Sequence, residues 1–272
     1  MSILKFFLFL FFSSVLTHCE IPSPKLERYV PILSPKFRII GGDEAAPHSF
    51  PFIAGLVING NSFCAGTLIS PNYVLTAAQC ASLGEDVEVI LGAHNITTSE
   101  ATQVHIKADN TTIHPDYNET SLQNNIALLH LVSAPTLNSN IQVATLPARS
   151  DADSSYFAET VVAAGWGLSQ DGSDPSQALR EVSLTILDVY TCSDYFGGTM
   201  EYVTESNLCT SGYRNVGTCK GDQGGPLVHD GTQIGVVSMG SDLCEMCLPS
   251  VYTNVGKFLD WIGDNSDVVI KN

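Results

Sequence analysis

Short apolar runs alternate with turn-forming residues along most of the chain from Ile39 onward. Among these runs are "FIAGLVING" (52–60), "VEVILGAH" (87–94) and "QIGVVSMG" (233–240). The run "EVSLTIL" (181–187) alternates strictly, so its three apolar side chains at Val182, Leu184 and Ile186 share one face of a strand. Many short strands separated by turns predict an all-β fold, either a barrel or a sandwich.

One segment near the end of the chain has a helical pattern instead. In "VGKFLDWI" (255–262) the apolar residues Phe258, Leu259 and Ile262 recur at the spacing of one helix face. We therefore predict a single C-terminal helix over about residues 255–263.

The first 38 residues differ from this β-rich body. Lys5 precedes the apolar run 6–12, and small or polar residues follow it, as in a secretory signal peptide that ends after Thr17 or Cys19. We place the signal at 1–19. Residues 20–38 carry four prolines and little periodicity, which is typical of a flexible leader or propeptide. No later apolar run is long enough to span a membrane, so we expect a secreted, extracellular protein.

Composition narrows the classes of partner. The 272 residues are 44 % hydrophobic, enough for a sizeable core, and the net charge is −16. An acidic body disfavours nucleic acid and anionic membranes as partners. Three N-x-S/T sequons predict glycosylation on surface loops at Asn95, Asn110 and Asn118.

Cysteine usage fits an exported protein. Eight cysteines occur, and removal of Cys19 with the signal leaves an odd number, so one thiol is left over when the others form disulfides. No cysteine pair stands near a suitably spaced histidine pair, so we expect no metal, and nothing in the sequence indicates a cofactor.

Four motifs stand in order along the body. They are "FRIIGG" (37–42), "LTAAQC" (75–80), "NNIALLHL" (124–131) and "TCKGDQGGPL" (218–227), with "AAGWG" (163–167) between the last two. This set resembles the chymotrypsin-like (trypsin) serine protease family over residues 39–265. The stretches "EATQ", "IHPDYN" and "GTCKGD" are similar to arthropod chymotrypsins and brachyurins.

The resemblance implies two six-stranded antiparallel β-barrels with a cleft between them. The family domain then covers 39–272, with barrels over about 39–145 and 146–255. Active relatives have "LTAAHC", "NDIALL" and "GDSGGP" in these motifs. Here Gln79, Asn125 and Gln223 stand in place of the catalytic histidine, aspartate and serine.

These replacements remove the groups that the reaction needs. A hydroxyl attacks the carbonyl, an imidazole transfers the proton and a carboxylate orients the imidazole, whereas an amide is neither nucleophile, acid nor base. By alignment no other histidine falls in the cleft. Because the three amides are complementary donors and acceptors, we hypothesise that Gln79, Asn125 and Gln223 bond to one another.

Other family features are retained. "FRIIGG" implies an activation site, in which cleavage after Arg38 frees the Ile39 amine to pair with Asp222. Gly221 and Gln223 keep the backbone N–H groups of the oxyanion hole. The resemblance places the specificity pocket at six residues with no aspartate at its base, so the pocket suits a small or apolar group. These residues are Gly217, Thr218, Ser238, Met239, Gly240 and Ser250.

Family spacing also implies three disulfides, Cys64–Cys80, Cys192–Cys209 and Cys219–Cys244. Cys247 is then unpaired, and it is a free thiol, competes with Cys244 for Cys219 or bridges two chains.

We expect a secreted, catalytically inactive serine protease homologue that binds or regulates another protein, as a protease cofactor or an inhibitor decoy. The expected partner is a protease, an inhibitor or an immune or digestive component, and the chain is a monomer or a Cys247-linked dimer. The alternatives are an active chymotrypsin-like endopeptidase, which would make the chain an enzyme, and a structural or storage protein of a secretion.

Overall fold

The computed structural model describes residues 41–240, 244 and 246–272. The predicted signal at 1–19, the leader at 20–38 and the activation residues Arg38 and Ile39 lie outside these residues. Within the described residues no helix has the length and apolar character that a membrane crossing requires.

Six antiparallel strands close into a first barrel, in the order β2-β3-β4-β7-β6-β5. The short apolar runs of the sequence become these strands because alternate side chains turn inward into a shared core. The strands are β2 (Ile53–Ile58), β3 (Ser62–Ser70), β4 (Tyr73–Thr76), β5 (Val87–Leu91), β6 (Val104–Ile113) and β7 (Ala127–Leu131).

A second six-stranded antiparallel barrel has the order β8-β9-β10-β13-β12-β11 and closes because β8 also pairs with β9. The short strand β1 (Asp43–Glu44) adds to it at β9. Val182, Leu184 and Ile186 are buried in its core, as the alternation predicts. The strands are β8 (Thr160–Gly165), β9 (Arg180–Leu187), β10 (Asn207–Thr210), β11 (Pro226–His229), β12 (Thr232–Met239) and β13 (Ser250–Asn254). The predicted all-β fold of two barrels is therefore confirmed.

Three short α-helices accompany the barrels in the part of the chain that the structure describes, α1 (Ala78–Ala81), α2 (Val189–Tyr195) and α3 (Leu259–Asn265). The predicted C-terminal helix begins as a 3₁₀ turn at Val255–Phe258 before it becomes α3. Phe258, Leu259 and Ile262 are buried against the core of the first barrel. The end of the chain therefore crosses back and joins the second barrel to the first.

The three disulfides that the resemblance implies are present, Cys64–Cys80, Cys192–Cys209 and Cys219–Cys244. The prediction of an unpaired Cys247 is wrong, because this residue is disulfide-bonded. A cysteine count does not show whether a particular cysteine is paired, so it could not establish a free thiol at Cys247.

The three sequons lie at different kinds of site. Asn118 is exposed in a loop, and Asn95 is half-buried in a turn where its Oδ1 accepts hydrogen bonds from the Thr97 backbone and hydroxyl. Asn110 is exposed, but it lies within β6 and not on a loop. Sequence could not separate these cases, because an exposed strand residue and a loop residue carry the same polar signal.

Candidate functional site: an amide-filled cleft

Gln79, Asn125 and Gln223 meet where the two barrels face each other. Gln79 lies in α1, which begins two residues after the end of β4, and Asn125 lies two residues before β7, so both belong to the first barrel. Gln223 lies in the turn before β11 of the second barrel. The Ala65 backbone N–H donates to the Gln223 carbonyl oxygen over 2.8 Å, which attaches this turn to β3 of the first barrel.

Local structure fixes the backbone of each position. The Cys64–Cys80 disulfide ties α1 to β3. Asn125 is fully buried, and its Oδ1 accepts from the Gln79 backbone N–H at 2.9 Å. In the turn after Asp222, Gly224 adopts a φ of +82°, a conformation that glycine reaches without strain.

Ser238 in β12 links the amides across the cleft. The Gln79 Nε2 donates to the Ser238 carbonyl oxygen at 2.6 Å, and the Asn125 Nδ2 donates to the Ser238 hydroxyl at 2.8 Å. Gln223 instead turns back on its own loop, where its Oε1 accepts from the Gly221 backbone N–H at 2.8 Å.

The hypothesis that the three side chains bond directly to one another is therefore wrong. Among the described residues no hydrogen bond joins the side-chain amide of Gln79, Asn125 or Gln223 to that of another. The physical reason is that each amide has a backbone or hydroxyl group of the cleft within reach. The role of Ser238 as a shared partner has no local signal in the sequence, since β12 and α1 are far apart along the chain.

Two hollows flank the glutamines. The smaller, of about 140 Å³, is lined by four of the six predicted pocket residues, Thr218, Ser238, Met239 and Gly240. Gly217 and Ser250 do not line it. Both are buried, and Ser250 Oγ accepts from the Thr218 backbone N–H. Gln79 and Gln223, both predicted site residues, line it as well, and so do four residues that the sequence did not indicate, Leu122, Cys219, Lys220 and Val237.

The larger hollow has a volume of about 400 Å³. It has an apolar and aromatic lining that includes Phe63, Leu83, Tyr117 and Leu122, with Glu119 as its charged member. Gln79 and Gln223 line this hollow as well, so both side chains, like Leu122, border both spaces.

None of the histidines in the described part of the chain lines either hollow. His94 and His130 contact the carboxylates of Glu44 and Asp109, and His114 packs against Phe258 and Trp261. Burial lowers the pKa of His114, and the Asp116 charge opposes this effect. These histidines occupy structural and surface positions, so they do not supply a base to Gln223.

Asp222 lies next to Gln223 and is completely buried. Its two carboxylate oxygens accept from the Gly167 backbone N–H at 2.8 Å and the Cys219 backbone N–H at 2.9 Å. Burial raises its pKa to about 6, and these two N–H groups oppose the rise. A buried carboxylate of this kind is stabilised by any cation that reaches it.

This pKa gives a pH dependence in the intact chain, where the nitrogen of residue 39 is in a peptide bond. The folded pKa lies above the unfolded value of about 4, so the unfolded chain releases this proton first. The free energy of unfolding should fall as pH rises from about 4 to about 6 and then level off. Denaturant titrations of wild type and Asp222→Asn across this pH range give the free energy of unfolding at each pH. The contribution of Asp222 is the difference between the two proteins in how steeply this free energy changes with pH.

Equal slopes in the two proteins would contradict this prediction. Cleavage after Arg38 provides a second comparison. The family resemblance expects the freed amine to pair with Asp222, which lowers the carboxyl pKa. In the cut protein the fall in stability between about pH 4 and about pH 6 should then disappear, and stability should instead be lost as the pH drops below about 4.

The trypsin family profile matches residues 39–262. The chain is 40 % identical over 226 residues to brachyurin of Leptuca pugilator, with 82 % of this chain and 96 % of the relative covered. It is 35 % identical over 256 residues to chymotrypsin of Phaedon cochleariae, with 91 % of each chain covered. Human cathepsin G is 39 % identical over 230 residues, with 82 % of this chain and 86 % of the relative covered. The chain therefore belongs to the trypsin family of serine proteases.

Proposed function

We propose that this protein is a secreted, catalytically inactive serine protease homologue that acts by binding, as a regulator of another protein. The observation that carries the proposal is the chemistry of the cleft. Gln79, Asn125 and Gln223 stand together at the positions that the family uses for its histidine, aspartate and serine, and each amide is already hydrogen-bonded.

Residual chemistry without these groups is small. Loss of one key triad member costs about 10⁶ in turnover in another protease fold, and binding and the oxyanion hole alone leave about 10³–10⁴ over water. A glutamine at position 223 forms no acyl-enzyme, and no described histidine reaches it. Membership of the family by itself is equally compatible with active proteolysis, so the site and not the fold decides between the two functions.

Secretion is part of the proposal. The signal-like segment at 1–19 supports it, and three disulfides within the domain are typical of proteins that mature in an oxidising compartment. Cleavage after Arg38 is proposed as the switch, because the buried Asp222 offers the carboxylate that a new amine would pair with. A protein partner would then distinguish the cut form from the intact form.

The test of inactivity uses protein purified after cleavage following Arg38. We expect no labelling by a fluorescent organophosphonate and no hydrolysis of a broad panel of chromogenic peptides above a buffer blank. A cut, active protease of the same family serves as the positive control. Turnover that follows the protein through successive purification steps would establish the alternative function, an active endopeptidase.

The test of regulation compares capture from the native fluid by the cut protein, the intact protein and Arg38→Gln, which trypsin-like proteases should not cleave at this position. We expect a protease or protease inhibitor to be enriched on the cut form alone. Identical capture by all three forms would remove the proposed switch.

A further inference from the structure

We propose that the side chains of Gln79 and Gln223 occupy the cleft as an internal substitute for a peptide group, and thereby close it to extended peptides and to inhibitor loops. This goes beyond catalytic inactivity, since a protein that has lost its nucleophile can still hold an extended peptide in an open cleft. It also decides between the proposed regulatory roles. A closed cleft disfavours a decoy for inhibitors and places the partner's binding surface outside the cleft.

The Ser238 carbonyl is one of the two backbone groups of the cleft that the glutamines occupy. Ser238 lies at a register shift of the β12–β13 ladder, between the paired residues Val237 and Met239. An irregularity of this kind leaves a strand residue outside the ladder, so its backbone groups are available to an added extended segment. The Gln79 Nε2 donates to this carbonyl at 2.6 Å and takes the place of an incoming peptide N–H.

The Gly221 backbone N–H is the other group that a glutamine occupies. Gly221 has a φ of +97°, and its N–H is one of the two donors that the resemblance assigns to the oxyanion hole. The Gln223 Oε1 accepts from it at 2.8 Å, as the carbonyl oxygen of a bound peptide would. One glutamine thus supplies the N–H and the other the C=O of a peptide group.

The two hollows beside the glutamines show where a peptide would have to lie. Gln79 and Gln223 both line the hollow of about 140 Å³ and the hollow of about 400 Å³. An extended backbone that bonds to the Ser238 carbonyl and the Gly221 N–H must displace both side chains, because these two groups are already bonded to them. It gains no net hydrogen bonds at Ser238 and Gly221, because it replaces bonds that already exist. At ordinary net strengths, two such bonds correspond to about tenfold to hundredfold in affinity.

The experiment measures binding of cyclised peptides whose backbone is held extended and whose central residue is alanine, leucine or phenylalanine. Titration calorimetry is run on wild type, Gln79→Ala, Gln223→Ala and the double variant. The control is Gln142→Ala at an exposed glutamine that lines neither hollow. We expect weak or undetectable binding to wild type and control, and at least tenfold tighter binding of one peptide to the double variant.

A second measurement tests the wild-type protein directly and uses one variant for comparison. In wild type, the backbone amide of Gly221 should exchange slowly with solvent deuterium, and Gln223→Ala should accelerate this exchange at least tenfold. Fast exchange at Gly221 in wild type contradicts the proposal by itself. So does a wild-type affinity equal to that of the double variant.

The same samples are assayed for cleavage of the bound peptide, which separates the two ideas. Tight binding to wild type without cleavage overturns the closed cleft and leaves catalytic inactivity in place. Cleavage by wild type overturns the proposed function itself.

Discussion

A triple variant, Gln79→His, Asn125→Asp and Gln223→Ser, is expected to hydrolyse peptides after cleavage following Arg38. Turnover should rise at least about a thousandfold above wild type, towards the factor of about 10⁶ that a complete triad supplies. The reason is that the surroundings of the three side chains are in place. Only the reacting groups are exchanged for amides.

The hydrogen bonds of Asn125 show why its replacement should be tolerated. An aspartate of the same shape keeps the bond from the Gln79 backbone N–H, now 2.9 Å from Oδ1. Its second oxygen can accept from the Ser238 hydroxyl, which rotates to become the donor in place of the present acceptor. Gln223→Ser also frees the Gly221 N–H that the glutamine occupies.

The controls follow from the way triad members act as a unit. Gln223→Ser alone should stay near background, since no base accepts its proton. The double variant Gln79→His with Asn125→Asp should stay inactive, since it has no nucleophile. An organophosphonate should label the triple variant at residue 223. A folded, cut triple variant that is no more active than Gln223→Ser would show that the cleft does not hold catalytic geometry.

Gly224→Ala is expected to lower the free energy of unfolding by about 3 kcal/mol or more. Two costs combine here. The φ of +82° strains any residue with a β-carbon, by about 1–2 kcal/mol. An alanine β-carbon would also lie 2.2 Å from the Ala65 carbonyl oxygen and 2.3 Å from the Thr76 hydroxyl. Backbone must shift to relieve this contact, and the shift carries the turn that holds Gln223.

Gly231 provides the matched control. Its φ is +76°, but a β-carbon there would meet nothing within 4 Å. Gly231→Ala should therefore cost only the conformational part, about 1–2 kcal/mol. Urea titrations of both variants measure the difference. If both variants lost the same free energy of unfolding, the close contact of Gly224 with the first barrel would not be the reason for a glycine in this turn.

Much of the fold could be predicted from the sequence. The alternation in β9 predicted which side chains enter the core of the second barrel, and the pattern at 255–262 located the C-terminal helix. Both predictions succeed because burial of one face places apolar residues at every second position of a strand and at every third or fourth position of a helix. The 3₁₀ start of that helix and the position of Asn110 within a strand were not predictable, since neither changes the apolar pattern. The Cys247 prediction failed because it rested on a count of cysteines, and a count does not show which cysteines pair.

The sequence by itself determined which chemical groups the cleft contains. Three motifs at family positions carry Gln79, Asn125 and Gln223, and no rearrangement of the chain turns an amide into a nucleophile or a base. The tertiary structure decided what those amides do. They could bond to one another, to solvent or to groups of the cleft. The Ser238 carbonyl, which is distant along the chain from Gln79, and the Gly221 N–H, which lies in the same turn as Gln223, decide which of these occurs. Hydrogen bonds need atoms within about 3 Å. The packing of the two barrels against each other sets that distance between Gln79 and Ser238, and the turn around Asp222 sets it between Gln223 and Gly221.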